Sequence, residues 1–313
     1  MEKIGLVRTR DGKSFLVPFI LITSLFFLWG VAHSILDVLN KHFQDTLEIT
    51  RTRSALIQAV VYGGYFIMAL PAGRIIRRFG YRTGVLTGLV LYGIGALLFI
   101  PGGRIQSFEF FLLALFVIGC GLTCLETASN PYVTVLGEPE GSERRINLAQ
   151  SFNGLGWICG PLAGGFFLFA GGGDVTTPYA VLGTVVLCIA ILFSRVKLPE
   201  IGREAESEQA EASGKSLWRT TSFTVGLLSL FLYVAAQTGI NSFFINYATE
   251  NAGVSAQEAS VWLSFGGMGL FMAGRMGGSW LLRFVKGVAA RYAMWQAGYD
   301  FGHGTGHGVG HRL

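Results

Sequence analysis

Long apolar segments, repeated along the chain and separated by short polar ones, are the feature that most constrains its fold. Each is long enough to cross a hydrocarbon core of about 30 Å as an α-helix, and a helix satisfies its own backbone hydrogen bonds in lipid. Of the residues, 51% are hydrophobic and 14% are charged, whereas about a quarter of a soluble domain is charged. We therefore predict an all-α membrane protein with about eight transmembrane helices, at residues 15–38, 54–77, 82–101, 108–136, 147–171, 178–195, 220–247 and 257–284.

Basic residues cluster in alternate connections between the apolar segments. They lie before the first segment and in the second-to-third and fourth-to-fifth connections: Lys3, Arg8, Arg10, Lys13, Arg74, Arg77, Arg78, Arg82, Arg144 and Arg145. An excess of Lys and Arg marks cytoplasmic loops, so we predict a cytoplasmic N-terminus in a multi-pass protein of a bacterial-type inner (plasma) membrane. The formal charge of +5 therefore marks topology in a lipid bilayer and does not indicate a nucleic-acid partner.

The order of apolar and polar segments predicts four parts. GRIIRRF at 73–79 and GSWLLRF at 278–284 form a weak internal repeat, and duplicated halves are common in transporters. The predicted parts are a six-helix bundle (1–195), a polar cytoplasmic linker (196–219), the first two helices of a second bundle (220–285) and a Gly/His-rich tail (286–313).

Glu126 lies near the middle of an otherwise uncharged apolar segment. An ionised carboxylate there costs at least ~2.5 kcal/mol, so it is kept mainly where it is protonated, paired or facing water. Asn130 lies one helical turn on, and Pro131 follows it. Two interpretations are open: Glu126 carries protons or binds substrate, or it is a structural residue bonded to a neighbouring helix.

Asp37 is the second intramembrane acid, close to the predicted end of the first span. Two interpretations are open: Asp37 has a role in function, or it simply reaches water at the membrane surface. His33 lies one turn before it and could share a proton with it, although a single histidine on a helix is often a polar packing residue.

Two pairs of amide side chains share helix faces. Gln150 and Asn153 are three positions apart, and Gln237 and Asn241 are four apart, so each pair projects in one direction. Amides offer both donors and acceptors, which suits sugar hydroxyls. We predict that both pairs line a polar cavity.

Gly156 and Gly160 lie four positions apart in the fifth segment. Small residues at this spacing allow a partner helix to approach closely in membranes. We predict that they form a helix contact rather than part of a binding site.

Five stretches within residues 15–285 carry a family resemblance: FLWGVAHSILDVL, CLETASNPYVTVLG, INLAQSFNGLG, AAQTGINSFFINYA and GRMGGSWLLRF. They resemble the fucose:proton symporter family of the major facilitator superfamily, which includes glucose and galactose permeases. The resemblance implies two six-helix bundles and monosaccharide transport coupled to proton entry by alternating access. It implies no enzyme activity and no cofactor other than the proton as coupling ion.

The resemblance also assigns roles. It implies that Asp37 and Glu126 act in proton coupling and sugar binding, and that Gln150 and Asn153 contribute to the sugar site. To the substrate-binding residues we add Asn130, His33, Gln237 and Asn241. The fucose transporter has asparagines where this chain has His33, Ser34 and Leu36, so the sugar is left open between fucose and the glucose/galactose type.

The last residues, ending in HGTGHGVGHRL, resemble a fragment of the aminopeptidase P family. The resemblance makes His307 a metal ligand and His303 its neighbour. A two-metal hydrolase also needs carboxylates around this motif, and none accompanies it here, so we expect no enzyme; a joined reading frame is the simplest account. On this view the second bundle is truncated, and transport is expected to be impaired.

Two alternative functions follow from these features. The chain could be a membrane-anchored fragment of a metallopeptidase, for which the tail is the support. It could also be a membrane protein that binds sugar without transporting it.

Overall fold

The computed structural model describes residues 6–9, 12–138, 141–170, 174–196 and 221–274. These residues form helices joined by short turns, together with an isolated antiparallel bridge between Arg8 and Ser14. The helices are α1 (Leu16–Thr46), α2 (Arg51–Ser54), α3 (Leu56–Phe79), α4 (Tyr81–Leu97), α5 (Phe99–Ile105), α6 (Phe108–Val135), α7 (Ser142–Gly164), α8 (Thr176–Arg195), α9 (Thr221–Asn251) and α10 (Ala256–Trp262). The π-helical turns Gly165–Ala170 and Leu263–Met268 follow α7 and α10.

Seven helical segments in the described part of the chain are long and apolar enough to cross a membrane. They are Leu16–Thr46, Arg51–Phe79, Tyr81–Ile105, Phe108–Val135, Arg144–Phe169, Thr176–Arg195 and Phe223–Asn251. They coincide with the first seven predicted spans, so the predicted all-α membrane fold is confirmed. The eighth predicted span begins with α10 and is described as far as residue 274.

Helix α1 continues well beyond its predicted end at residue 38 and stops at Thr46. The additional turns carry Asn40 and His42, which are buried against other helices. Asp37 is therefore inside the protein, with only 3% of its surface exposed. The alternative in which Asp37 reaches water at the end of the span is wrong for this structure.

Glycines bring α1 and α7 into close contact, as predicted for Gly156 and Gly160. A Cβ added to Gly156 would overlap the carbonyl oxygen of Phe27, and one added to Gly160 would overlap the Ser34 hydroxyl. Gly30 on α1 faces the Asn153 backbone in the same way. Without a hydrophobic driving force between helices in lipid, such close packing stabilises their association.

Helix α8 begins at a carboxylate cap outside the membrane-spanning segments. The Asp174 carboxylate accepts hydrogen bonds from the backbone N–H groups of Thr176 and Thr177, at 2.8 and 3.2 Å, and from the Thr177 hydroxyl at 2.5 Å. These hydrogen bonds hold the pKa of the Asp174 carboxyl below its usual range. The bond from the Thr177 hydroxyl contributes most to this shift. The negative charge also complements the helix dipole.

Helices α9 and α10 lie against the first bundle. The C-terminal half of α9 contacts α1 and α3, while Ser260 of α10 covers Gly165 after α7. Large apolar side chains are exposed on the N-terminal half of α9, as lipid-facing residues are: Val225, Leu228, Phe231 and Leu232. Apart from Val196, the predicted linker lies outside the described residues, as do residues 275–285 and the tail.

Candidate functional site

His33, Tyr65 and Glu126 lie close together on three helices. His33 Nε2 on α1 and Tyr65 Oη on α3 are 2.8 Å apart. The Tyr65 hydroxyl also lies beside the Glu126 carboxyl on α6 and the indole of Trp29 on α1. The hydrogen-bond partner of His33 is thus Tyr65 and not Asp37.

Aromatic rings surround His33. Trp157 of α7 stacks on the imidazole, with ring centroids 5.9 Å apart and an interplanar angle of 12°. Trp29, Tyr62 and Tyr65 lie around the same ring with centroids at 6.3, 6.4 and 5.6 Å. Flat apolar faces beside polar groups are typical of small-molecule sites, and these rings surround the His33 imidazole.

Gln150 and Asn130 meet between α7 and α6. Gln150 Nε2 donates to Asn130 Oδ1 at 3.3 Å. Gln150 is 8% exposed, yet its Oε1 is buried without a hydrogen-bond donor among the described residues. A buried amide oxygen without a donor is uncommon, and it can accept a hydrogen bond from a ligand hydroxyl.

Asn153 has a different environment from Gln150, although the two residues were predicted to act together. Its Nδ2 donates to the Phe26 carbonyl on α1 at 3.0 Å, and the residue is 5% exposed. One of its two N–H donors is therefore occupied by the α1–α7 contact.

Asp37 lies where α1, α3 and α9 meet. Its Oδ1 accepts hydrogen bonds from Gln58 Nε2 at 3.1 Å and from Ser242 Oγ at 3.2 Å. Gln58 Nε2 also donates to Ser242 Oγ at 2.9 Å. The carboxyl therefore joins the first bundle to the first helix of the second.

Further polar contacts between α9 and helices α1 and α3 lie on both sides of Asp37. We call them, with Asp37, the interbundle row. Its hydrogen bonds are Asn40 Nδ2 to the Ser242 carbonyl at 2.5 Å, Asn246 Nδ2 to Gln44 Oε1 at 2.6 Å and Tyr62 Oη with Thr238 Oγ1 at 3.1 Å. Arg51 and Glu250 form an ion pair beyond them. The bundles are thus in contact at this end.

Gln237 and Asn241 are partly buried on α9. The hydrogen bonds of this stretch are made by Thr238, Ser242 and Asn246, which the sequence reasoning did not select. Their four-residue spacing is the signal that could have found them, because it places all three on one helix face. Tyr65 carries no comparable signal, since tyrosine is common in apolar helices.

No group of three or more His, Cys, Asp or Glu side chains is placed to hold a metal ion within the described residues. His303 and His307 lie outside those residues, and their roles stay predictions. The comparisons with known proteins give no support to the aminopeptidase P resemblance.

The carboxyls of Asp37 and Glu126 thus belong to two separate hydrogen-bonded groups, one at the bundle contact and one inside the first bundle. Each has uncharged partners, namely Gln58 and Ser242 for Asp37 and Tyr65 for Glu126. Because these partners are uncharged, they do not compensate the charge of the carboxylate. The net charge of each group therefore changes by one unit when its acid titrates. The arrangement places two titratable carboxyls within the membrane-spanning helices, each beside polar side chains.

Comparison with known proteins places the chain in a family. The model of the Major Facilitator Superfamily matches residues 15–296. The L-fucose-proton symporter of Escherichia coli (strain K12) is 37% identical over 91% of this chain and 72% of the relative. The glucose/galactose transporter of Brucella abortus is 33% identical over 91% of this chain and 69% of the relative.

A solved structure agrees with these matches. The major facilitator transporter FucP, in its outward conformation, is 34% identical to this chain, with a TM-score of 0.66 over 88% of this chain and 73% of the other. These relatives are transporters and not enzymes, which confirms the predicted absence of enzyme activity. The chain belongs to the Major Facilitator Superfamily and is a multi-pass membrane protein of the group that includes the L-fucose-proton symporters and the glucose/galactose transporters.

Proposed function

We propose that this protein transports a monosaccharide together with protons. The observation that carries the proposal is the placement of two intramembrane carboxyls. Glu126 lies beside Tyr65 of α3, and Asp37 is hydrogen-bonded to Ser242 of α9. Intramembrane acids mark proton relays and substrate pathways in transporters.

The sugar site lies, on this proposal, between Glu126 and Gln150. The buried Oε1 of Gln150 accepts a sugar hydroxyl, and Asn130 holds the Gln150 amide in place. The rings around His33 supply flat faces for the apolar side of a pyranose. The relatives support fucose or a hexose of the glucose/galactose type as the substrate class.

The membrane is the bacterial inner membrane, with the N-terminus in the cytoplasm as the basic connections indicate. In that orientation the interbundle row closes the outer end of the path. Closing it buries Asp37, and burying a charge in a membrane is costly, so proton binding at Asp37 favours closure. Opening at that end returns the carboxyl to water, where it releases or exchanges its proton.

Uptake by the purified full chain in proteoliposomes tests this function. With an inwardly directed proton gradient we expect accumulation of labelled L-fucose, D-galactose or D-glucose, and a protonophore should abolish it. Glu126→Gln should remove gradient-driven accumulation. Glu109→Gln, at an exposed carboxylate on the same helix that pairs with Arg53, is the matched control and should accumulate sugar like the wild type.

Two results would contradict the proposal. Saturable sugar binding without exchange across the membrane would identify a sugar-binding protein that does not transport. Accumulation that is independent of the proton gradient would separate transport from proton coupling and remove the assigned role of Glu126.

A further inference from the structure

Arg145, near the start of α7, is completely buried and joins three segments of the chain. Its guanidinium donates hydrogen bonds to four backbone carbonyl oxygens: from Nε to Val133 at 3.2 Å, from Nη1 to Leu6 at 3.1 Å, and from Nη2 to Glu138 at 3.0 Å and to Thr134. The acceptors lie in the last turn of α6, in the connection between α6 and α7, and in the segment before α1. One side chain therefore holds three backbone segments together.

Two glycines of the α6–α7 connection provide the space for this guanidinium. A Cβ added to Gly137 would lie 2.9 Å from Arg145 Nη1 and 3.2 Å from the Leu6 carbonyl oxygen. A Cβ added to Gly141 would lie 2.7 Å from the same Nη1. Gly137 also has a φ of 142°, in the region of positive φ that favours glycine. The connection is thus shaped around the Arg145 side chain.

The last turn of α6 needs such support because Pro131 lies inside the helix. Proline has no N–H, so the backbone hydrogen bond from this position to the Thr127 carbonyl is missing, and the end of α6 is joined to the rest by one bond fewer. The last carbonyls of a helix also lack intrahelical partners. Arg145 donates to two of these, those of Val133 and Thr134, and its positive charge complements the negative end of the helix dipole.

The same two helices meet again at the proposed sugar site. Gln150 follows Arg145 on α7, about 7.5 Å further along the helix, and Asn130 lies one turn before Val133 on α6. Gln150 Nε2 donates to Asn130 Oδ1 at 3.3 Å. This bond sets the direction of the Gln150 amide, whose Oε1 is buried without a donor among the described residues. The hydrogen bonds of Arg145 therefore fix the helix ends from which Asn130 and Gln150 project.

We propose that Arg145 is a positioning residue for the sugar site. It holds the last turn of α6 against α7, keeps Asn130 within hydrogen-bonding distance of Gln150, and so leaves the Gln150 Oε1 turned towards a sugar hydroxyl. A lysine cannot replace it, because an ammonium group is a single point charge, whereas the planar guanidinium carries five N–H donors in a fixed arrangement. The inference rests on the proposed function for the role of the sugar, but the positioning itself is measurable without sugar.

NMR of the purified full chain with isotope-labelled glutamine side chains tests the positioning without a ligand. The Gln150 amide signal is assigned by its loss in Gln150→Leu. In Arg145→Lys we expect this signal to move to the position that it has in Asn130→Ala, because the hydrogen bond to Asn130 is lost. Arg144→Lys is the matched control, since Arg144 is the preceding residue and is exposed, and it should keep the wild-type signal. A wild-type signal in Arg145→Lys would overturn the proposal.

Gly141→Ala decides the matter if Arg145→Lys does not fold. The added Cβ would lie 2.7 Å from Nη1 of Arg145, so the guanidinium must shift, and because this group is rigid and planar its bonds to α6 shift with it. The backbone of Gly141, with a φ of -95°, is one that alanine can adopt. The Gln150 signal should move away from its wild-type position in this variant as well, and an unchanged signal would equally overturn the proposal.

Sugar binding gives a second readout, by calorimetric titration with L-fucose, D-galactose and D-glucose. For the sugar that the wild type binds, Arg145→Lys should weaken affinity about fivefold, which corresponds to one lost hydrogen bond, and Arg144→Lys should leave it unchanged. In a Gln150→Leu background, Arg145→Lys should change affinity by less than about twofold, because no amide is left to position.

A full loss of affinity in the Gln150→Leu background would overturn the positioning role, since a general weakening of the fold would add to the effect of Gln150→Leu. A wild type that binds none of the three sugars would refute the proposed function. The NMR result would still decide whether Arg145 positions the Gln150 amide, so the two failures are distinguishable.

Discussion

The Asp37 carboxylate accepts a hydrogen bond of 3.2 Å from the hydroxyl of Ser242, a residue 205 positions later in the chain. Gln58 donates to both residues, so one titratable group lies within the contact between α1, α3 and α9. The strength of that contact therefore depends on Asp37 and its two donors.

Ser242→Ala should weaken the contact between the bundles at the interbundle row. Loss of one hydrogen bond costs about 1 kcal/mol, which corresponds to roughly a fivefold change in the ratio of joined to separated states. Spin labels at Glu48 and Asn251, both exposed at this end, should report a larger population at long distance. Ser229→Ala is the control, because that hydroxyl bonds within α9, to the Val225 carbonyl. If Ser242→Ala leaves the distribution of spin-label distances unchanged, its hydrogen bond does not hold the helices together at this end.

Gln150→Leu should weaken sugar binding without destabilising the protein. The change removes a buried oxygen that has no donor among the described residues and one hydrogen bond of 3.3 Å to the partly exposed Asn130, so the fold loses little, whereas a ligand hydroxyl loses its acceptor. We expect affinity to fall about tenfold or more, equivalent to about 1.4 kcal/mol, in a calorimetric titration with sugar.

Asn153→Leu, in contrast to Gln150→Leu, should destabilise the protein. It leaves the buried Phe26 carbonyl without its donor, at a cost of about 1–3 kcal/mol, and should lower the thermal unfolding temperature in detergent. Equal thermal stability of the two variants would mean that the amide of Asn153 does not hold α1 against α7.

Gly156→Ala should disrupt the packing of α1 on α7. The added methyl group would overlap backbone atoms of Phe27, Gly30 and Val31, which cannot move without shifting a helix, and overpacking of this kind costs about 1–3 kcal/mol. Gly63→Ala is the control, since a Cβ there has nothing within 4 Å. Thermal unfolding should separate the two variants, and equal stability would contradict the close contact.

Asp174→Asn should reduce stability at neutral pH and have little effect in acid. The pKa of Asp174 is lowered in the folded state, so its contribution is present above the unfolded pKa of about 3.9 and is lost as pH falls through the lower folded value. The difference in unfolding temperature between wild type and variant should therefore shrink below a pH of about 4. A difference in unfolding temperature that grew in acid would contradict the stabilising role of the Asp174 carboxylate at the start of α8.

The sequence was sufficient to predict the seven spans and to single out candidate site residues, because both leave local signals. An ionisable residue such as Glu126 stands out in an apolar segment because burying its charge in a membrane costs free energy. Gln150 stands out because it is a polar residue in an apolar segment. The end of α1 was predicted too early because Lys41 and Asp45 lower the local hydropathy. Their exposed i, i+4 ion pair lies on a helix whose other face is buried.

The partners of the site residues could not be predicted in the same way. Tyr65 and Ser242 contact the two acids only because α3 and α9 pack against α1 at a particular rotation. That rotation is set by the glycine contacts and by side-chain packing across the whole bundle. Gln237 and Asn241 show the same difficulty, since Thr238 and Ser242, one residue further along the helix, make the hydrogen bonds.

The offset between Asp37 and Ser242 equals that between the two copies of the internal repeat, GRIIRRF at 73–79 and GSWLLRF at 278–284. Equivalent positions of duplicated halves meet where a twofold axis passes, as identical residues do in a symmetric dimer. An acid at both positions would place two like charges face to face on that axis. With a hydroxyl on one side, this contact holds one titratable group, Asp37, and no second negative charge opposes it from Ser242.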